Sequence, residues 1–440
     1  MIARYSRPQM TALWTARHRY ETWLAVEQAA AEAMAQAGII PASAPAEIAA
    51  RAAIAPDRID ALEQESQHDV IAFVTSIAEQ VGEAGRYLHW GMTSSDVLDT
   101  ALAVVMREAA ETLLADLSDL LAALKAKALE HRGTLMIGRS HGIHGEPITF
   151  GWKMALWYEE MRRNRARLQA AQAAISFGKL SGAMGTYAHL APSIEAAVCA
   201  RLGLAPDPAS SQVISRDRHA QYVQTLALVA ASIEKCALEI RHLQRTEVGE
   251  VEEPFAAGQK GSSSMPHKRN PVGSENLCGL ARLVRTHAGV ALENVALWHE
   301  RDISHSSVER VILPDSTILL DFMLHRLTRI LRGLVVYPDR MIANLTATGG
   351  TIYSQAVLLK LIEKGMPREQ AYAVVQSAAM TVFHQGGDFR AAIFSAADVE
   401  KRLTRAEVAA CFDPQRFIVH LDTIYRRVFG PSEAASPEEV

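Results

Sequence analysis

Residues 213–248 read VISRDRHAQYVQTLALVAASIEKCALEIRHLQRTEV, 36 positions without a glycine or a proline. That is too long for a strand and well above the mean helix of about 11–12 residues. Tyr222, Leu226, Val229, Ile233, Cys236, Ile240 and Leu243 recur at spacings of four and three, a heptad seam. A helix of this length would span about 54 Å at about 1.5 Å per residue. Such helices pack in bundles, within a chain or between subunits. Two further stretches, Val97 to Arg132 and Trp152 to Phe177, also lack glycine and proline. The alanine-rich composition suits helix, since alanine has the highest helix propensity. The expected fold is all-α, built on a central bundle of long helices. No strand–helix alternation of a doubly wound sheet and no internal repeat is visible.

Polar breaks separate these stretches. Arg86 to Asp96 carries Gly91, Thr93, Ser94 and Ser95, and Ser95 or Asp96 is expected to cap the helix that follows. Gly133 to Gly151 holds five glycines and Pro147, and is read as a flexible break. His299 to Pro314 is polar, and Gly349-Gly350 marks a boundary before a last helical region. The expected division is 1–94, 95–343 and 344–440, with a disordered tail after Gly430.

Composition narrows the function. Of 440 residues, 45 are Lys or Arg and 49 Asp or Glu, a net charge of −4. That balance gives no support for nucleic-acid or membrane-surface binding. Cys199, Cys236, Cys278 and Cys411 lie far apart, so neither a disulfide framework nor a zinc site is expected. The first residues lack the apolar run of a signal peptide, and no run of about 18 apolar residues appears. The expectation is a soluble, cytoplasmic protein. No glycine-rich phosphate loop with its lysine is present, so ATP hydrolysis has no support.

The residues suited to chemistry gather in the breaks. Gly261 to Glu275 reads Gly-Ser-Ser-Ser-Met-Pro-His-Lys-Arg-Asn-Pro-Val-Gly-Ser-Glu. It is hydroxyl-rich and basic, and a mobile loop of this kind can close over an anion. Thr93-Ser94-Ser95-Asp96 places hydroxyls at a helix N-terminus, where free backbone N–H groups attract anions. His141 and His144 lie among glycines, and a histidine in a polar break suits proton transfer. Their spacing is weak evidence for a metal, and none is expected. Arg301, Ser306 and Arg310 offer charge and hydroxyl to a phosphate. Glu252-Glu253 reads as a solvated charge cluster.

The 261–275 loop resembles the signature loop of the fumarase/aspartase superfamily, whose members cleave C–N or C–O bonds and release fumarate. Its Met265-Pro266-His267-Lys268-Arg269-Asn270-Pro271 version looks most like the adenylosuccinate lyase family. Thr93 to Asp99, Arg139 to Pro147, His68-Asp69-Val70 and His299 to Arg310 resemble further segments of that family, in the same order. The resemblance implies β-elimination of fumarate from adenylosuccinate and from the succinyl-carboxamide intermediate of purine synthesis, without a cofactor. It implies His141 as general acid and a signature-loop serine as base, Ser262 with Ser263 as the alternative. Lys268 would stabilise charge, and His68 would sit beside nucleotide and acid. Thr93 and Ser94 would meet the succinyl carboxylates. Arg4, Tyr5, Asp69, Gln212, Asn270, Arg301, Ser306 and Arg310 would bind the rest of the substrate. It also implies a homotetramer whose sites combine segments of several subunits. The rivals are a sister lyase, acting on argininosuccinate or a carboxymuconate, and a catalytically silent structural protein on the same fold. The phosphate-type residues oppose the first, and the joint presence of His68, His141, Ser262 and Lys268 opposes the second.

Overall fold

The computed structural model describes residues 1–256 and 258–431. The tail expected to be disordered therefore lies, from residue 432 on, outside the described residues. The described residues are overwhelmingly helical, and their few strands form three two-stranded pairings. The helices that position the site are α1 (Ala16–Gln36), α2 (Asp69–Val81), α3 (Ser94–Glu130), α4 (Phe150–Ile175), α5 (Asp217–Gln244), α6 (Val272–Glu293), α7 (Ser304–Gly333) and α8 (Arg368–Gln385). Three of them answer to the three glycine- and proline-free stretches. No described helix is long and apolar enough to cross a membrane.

Several expectations change. The 36-residue stretch yields a helix of 28 residues. Residues before Asp217 are drawn into side-chain bonds, and Gly249 takes a positive φ of 61° after the last turns. The cap of α3 is Thr93, neither Ser95 nor Asp96. The helix starts at Ser94, and Asp96 reaches back to accept the Thr93 N–H at 2.8 Å. The 299–314 break ends early, because α7 starts at Ser304 and runs through Pro314. Proline has no N–H, so the Arg310 carbonyl loses its helical donor there. Glu252 and Glu253 are anchors, not a solvated cluster. Glu252 accepts from Arg269 (2.7 Å) and Tyr337 (2.8 Å), and Glu253 takes the Gly273 and Ser274 N–H groups at the start of α6.

All seven side chains of the heptad seam are buried, none more than 3% exposed. The seam is therefore spent inside the chain. Any association between copies must use other side chains.

The chain divides into two compact units, one of residues 1–120, 161–235 and 276–328, the other of 121–160, 236–275 and those from 329 on. In the first, Tyr20 and Trp23 on α1 meet Phe73 on α2, with Trp23 edge-on at 5.4 Å. Val26, Ile77, Val97, Leu180 and Ile194 extend this core. Removing a buried ring such as Phe73 costs about 3–5 kcal/mol. The packing fixes the N-terminal ends of α2 and α3, which carry His68 and Ser94.

The second unit contains an antiparallel hairpin, β1 (Leu135–Ser140) and β2 (Ile143–Thr149). The glycine-rich break was expected to be flexible, and it is paired instead. Ile137 of β1 packs with Leu345, Ile352 and Tyr353. A further core around α8 gathers Val357, Leu361, Phe389, Ile393 and Val408.

Candidate active site

In the first unit, His68 is the N-cap of α2, its Nδ1 accepting the Ile71 N–H at 3.4 Å. Its Nε2 lies 3.5 Å from Ser94 Oγ, in the first turn of α3. Asp69 follows, and its carboxylate accepts from Arg310 Nη2 at 2.6 Å. Arg310 Nε faces Ser306 Oγ at 3.5 Å, one turn back on α7. Arg301 donates to Gln212 Oε1 at 3.2 Å, and Gln212 donates to the Ala183 carbonyl at 3.1 Å. His68, Asp69, Ser94, Gln212, Arg301, Ser306 and Arg310 are thus joined by direct contacts into two groups. Arg301, Ser306 and Arg310 line one cavity of about 230 Å³. Arg4 and Tyr5 stand apart: Arg4 is exposed, and the Tyr5 ring packs on Phe322 at 5.5 Å.

Buried charges lie beneath these residues. Lys179 and Asp96, both wholly buried, form an ion pair at the start of α3. Asp96 also fixes Thr93, as described. Arg216 holds Asp99 through two bonds of 2.7 and 2.8 Å, and Glu309 through two of 3.1 and 3.2 Å. One guanidinium cannot neutralise two carboxylates. Asp99 has the shorter bonds; burial opposes its ionisation, but Arg216 prevails and lowers it to about 2. Burial pushes Glu309 up to about 7 against the pull of the same arginine. Burial and the nearby Arg216 lower His219 to about 3 and His305 to about 4, so both are neutral near pH 7. No local pattern along the chain marks this cluster, because Arg216 lies 117 positions from Asp99 and 93 from Glu309.

In the second unit, His141 and Gly142 form the two-residue turn between β1 and β2. Both have positive φ, 56° and 77°, as a type I′ turn requires. Glycine adopts this freely and histidine does not, so the pairing of the strands holds His141 there. The side chain is exposed at the tip. Three residues on, His144 faces Arg139 in register. Burial first, then Arg139, lowers its pKa, and its Nδ1 is buried without a hydrogen-bond partner. Arg139 makes two bonds, 2.9 and 2.7 Å, to the buried Glu250, which also accepts from Asn344. These contacts brace the hairpin.

The signature loop folds upon itself. Ser262 Oγ accepts two backbone N–H groups, from Ser264 at 3.3 Å and Met265 at 3.1 Å. Asn270 donates to the Gly261 carbonyl at 3.2 Å, closing the loop across nine residues. A Cβ on Gly261 would fall 2.2 Å from the Lys268 carbonyl, so only glycine fits this approach. Ser263, His267 and Lys268 are exposed. Among the described residues no group of three or more His, Cys, Asp or Glu is placed to hold a metal ion.

Comparison with known proteins gives matches over most of the chain. A family profile described as lyase matches residues 3–286, and one described as adenylosuccinate lyase C-terminus matches 350–428. The adenylosuccinate lyase of Synechocystis sp. is 55% identical over 429 residues, covering 97% of this chain and 100% of that protein. That of Bacillus subtilis is 50% identical over 428 residues, covering 97% and 99%. Among solved structures, a fumarate lyase from Mesorhizobium sp. BNC1 superposes with a TM-score of 0.90 at 29% identity, over 98% of this chain and 99% of that one. The 3-carboxy-cis,cis-muconate lactonizing enzyme from Pseudomonas putida gives 0.87 at 29% identity, over 98% and 97%.

Proposed function

The chain belongs to the adenylosuccinate lyase family of the fumarase/aspartase superfamily, and from that membership we propose how its residues divide the reaction. It is a carbon–nitrogen lyase that eliminates fumarate from adenylosuccinate to leave AMP, and from the succinyl-carboxamide ribonucleotide to leave its carboxamide. Ser262 removes the carbon-bound proton beside a succinyl carboxylate. Charge gathers on that carboxylate as an aci-carboxylate. The C–N bond then breaks, and His141 delivers a proton to the leaving nitrogen.

The observation that carries the base assignment is the pair of N–H bonds to Ser262 Oγ. A serine hydroxyl is a poor base unless its alkoxide is stabilised, and two backbone donors supply that stabilisation. Ser263 is exposed and stands as the alternative. Lys268 adds positive charge to the developing carboxylate, and Asn270 keeps the loop closed behind the substrate. Arg301, Ser306 and Arg310 take the phosphate, with Arg4 and Tyr5 brought up on binding. Thr93 and Ser94 meet the succinyl carboxylates, and His68, Asp69 and Gln212 hold the remainder. Arg310 exchanges Asp69 for phosphate as the nucleotide enters.

The working protein is a homotetramer with shared sites. Leu228, Leu292 and Val295, each 44% exposed or more, line a groove between α5 and α6 that a second copy would cover. His141 at an exposed tip likewise calls for a covering surface. The four buried cysteines suit a cytoplasmic setting. The three-part division at 94/95 and 343/344 belongs to the same reading.

Purified protein mixed with adenylosuccinate, with argininosuccinate in parallel, tests the reading by ultraviolet absorbance and fumarate release. AMP and fumarate should form from the first substrate alone, and His141→Ala should abolish it. Turnover of argininosuccinate only, or of neither, would overturn the reading.

A further inference from the structure

Arg216 stands one residue before α5 and is buried. A guanidinium has five N–H donors in a fixed fork, and all five are engaged. Two go to Asp99 (2.7 and 2.8 Å), two to Glu309 (3.1 and 3.2 Å), and one to the Ile214 carbonyl (2.8 Å). Asp99 in turn accepts the Ile214 N–H at 2.7 Å.

These partners sit on three separate segments, and each segment carries substrate-side residues. Asp99 is on α3, five residues past Ser94. Ile214 follows Gln212 by two. Glu309 lies on α7 between Ser306 and Arg310. Asp99, Arg216 and Glu309 also line the cavity that Arg301, Ser306 and Arg310 share. Two carboxylates against one guanidinium is a poor way to gain stability, because desolvation offsets much of the attraction and apolar residues could fill the space. What the fork supplies is geometry: two planar bidentate contacts fix three backbones against one another.

We propose that Arg216, with Glu309, is a positioning residue that sets the phosphate-binding Arg301, Ser306 and Arg310 against Gln212 and the start of α3. The inference rests on the functional reading above; it gives neither residue a bond to substrate, since all five Arg216 donors are already engaged. Glu309 is the link to the phosphate side, since its neighbours Arg310 and Ser306 move with its turn of α7. A lysine at 216 offers a point charge and cannot span both carboxylates bidentately.

The test compares adenylosuccinate with its nucleoside counterpart lacking the 5′-phosphate. kcat/KM is measured for both in the wild type, Arg216→Lys and Glu309→Gln. The wild type should prefer the nucleotide strongly. In both variants that preference should fall by about tenfold or more, through KM for the nucleotide, with nucleoside kcat/KM changed by less than about threefold. An unchanged preference, with both substrates losing equally, would show a purely structural role and overturn the proposal. Should Arg216→Lys fail to fold, Glu309→Gln decides alone: it keeps the size and one accepting oxygen, and loses one bond to the fork. A wild type that turns over neither substrate overturns the functional reading, and this proposal with it.

Discussion

Ser94, Gln212, Ser306 and Arg310 stand on backbone locked from beneath by buried charge: Asp96 on Lys179, and Asp99 and Glu309 on Arg216. His141, Ser262 and Lys268 stand instead on a hairpin tip and on a loop whose bonds are largely its own. The backbone beneath the first group is set without substrate. The second is exposed at His141 and Lys268, and under the proposed roles it needs closure around substrate to exclude water. Under the proposed roles, the backbone that carries binding residues can be rigid, because a phosphate is the same before and after the reaction. Groups that move protons must approach, act and withdraw.

The sharpest way to break this contrast is to remove one lysine from each region. Lys179→Met leaves Asp96 buried and unpaired, and should cost about 3–5 kcal/mol in urea unfolding. Lys268→Met, at an exposed position, should change stability by less than about 0.5 kcal/mol while turnover falls steeply. Equal stability losses would erase the distinction.

The buried cluster also predicts a pH effect. Glu309 has a folded pKa of about 7, above its ordinary 4.5. Between those values it binds more protons folded than unfolded. Its contribution is full below about pH 4.5 and is lost as pH rises through about 7. The stability advantage of the wild type over Glu309→Gln should therefore shrink by about 1–3 kcal/mol from about pH 4.5 to about pH 7.5. A constant difference, in chemical denaturation at both pH values, would show that Glu309 is ionised throughout.

A smaller effect belongs to the hairpin tip. Gly142 has a φ of 77°, and nothing lies within 4 Å of an added Cβ. Gly142→Ala should cost about 1 kcal/mol through backbone strain alone, and lower kcat by displacing His141. The least effect is expected at the exposed Arg58–Glu79 pair. Despite bonds of 2.6 and 3.0 Å, Arg58→Ala should leave thermal unfolding unchanged.

The long helices were legible because freedom from glycine and proline over dozens of residues has one common outcome. The motif residues were legible because they lie in polar breaks. The hairpin was not. Five glycines suggest a loose break, and the signal that contradicts this is the single His141-Gly142 dipeptide, a weaker mark than Asn-Gly. The seam on α5 was seen, but its partner was not, since one periodicity serves a bundle inside a chain or between chains. Arg216 was invisible for a different reason. Asp99 and Glu309 meet it only after three helices have packed, and no spacing along the chain encodes that.

In the proposed mechanism Ser262 is the base, its oxygen made competent by two backbone N–H groups. The most direct test is single-turnover conversion of adenylosuccinate by Ser262→Ala and Ser263→Ala, each checked by circular dichroism for an intact fold. Turnover should fall by about 10³-fold or more in Ser262→Ala and change by a few-fold in Ser263→Ala. Near-normal turnover in Ser262→Ala, or the larger loss in Ser263→Ala, would contradict it.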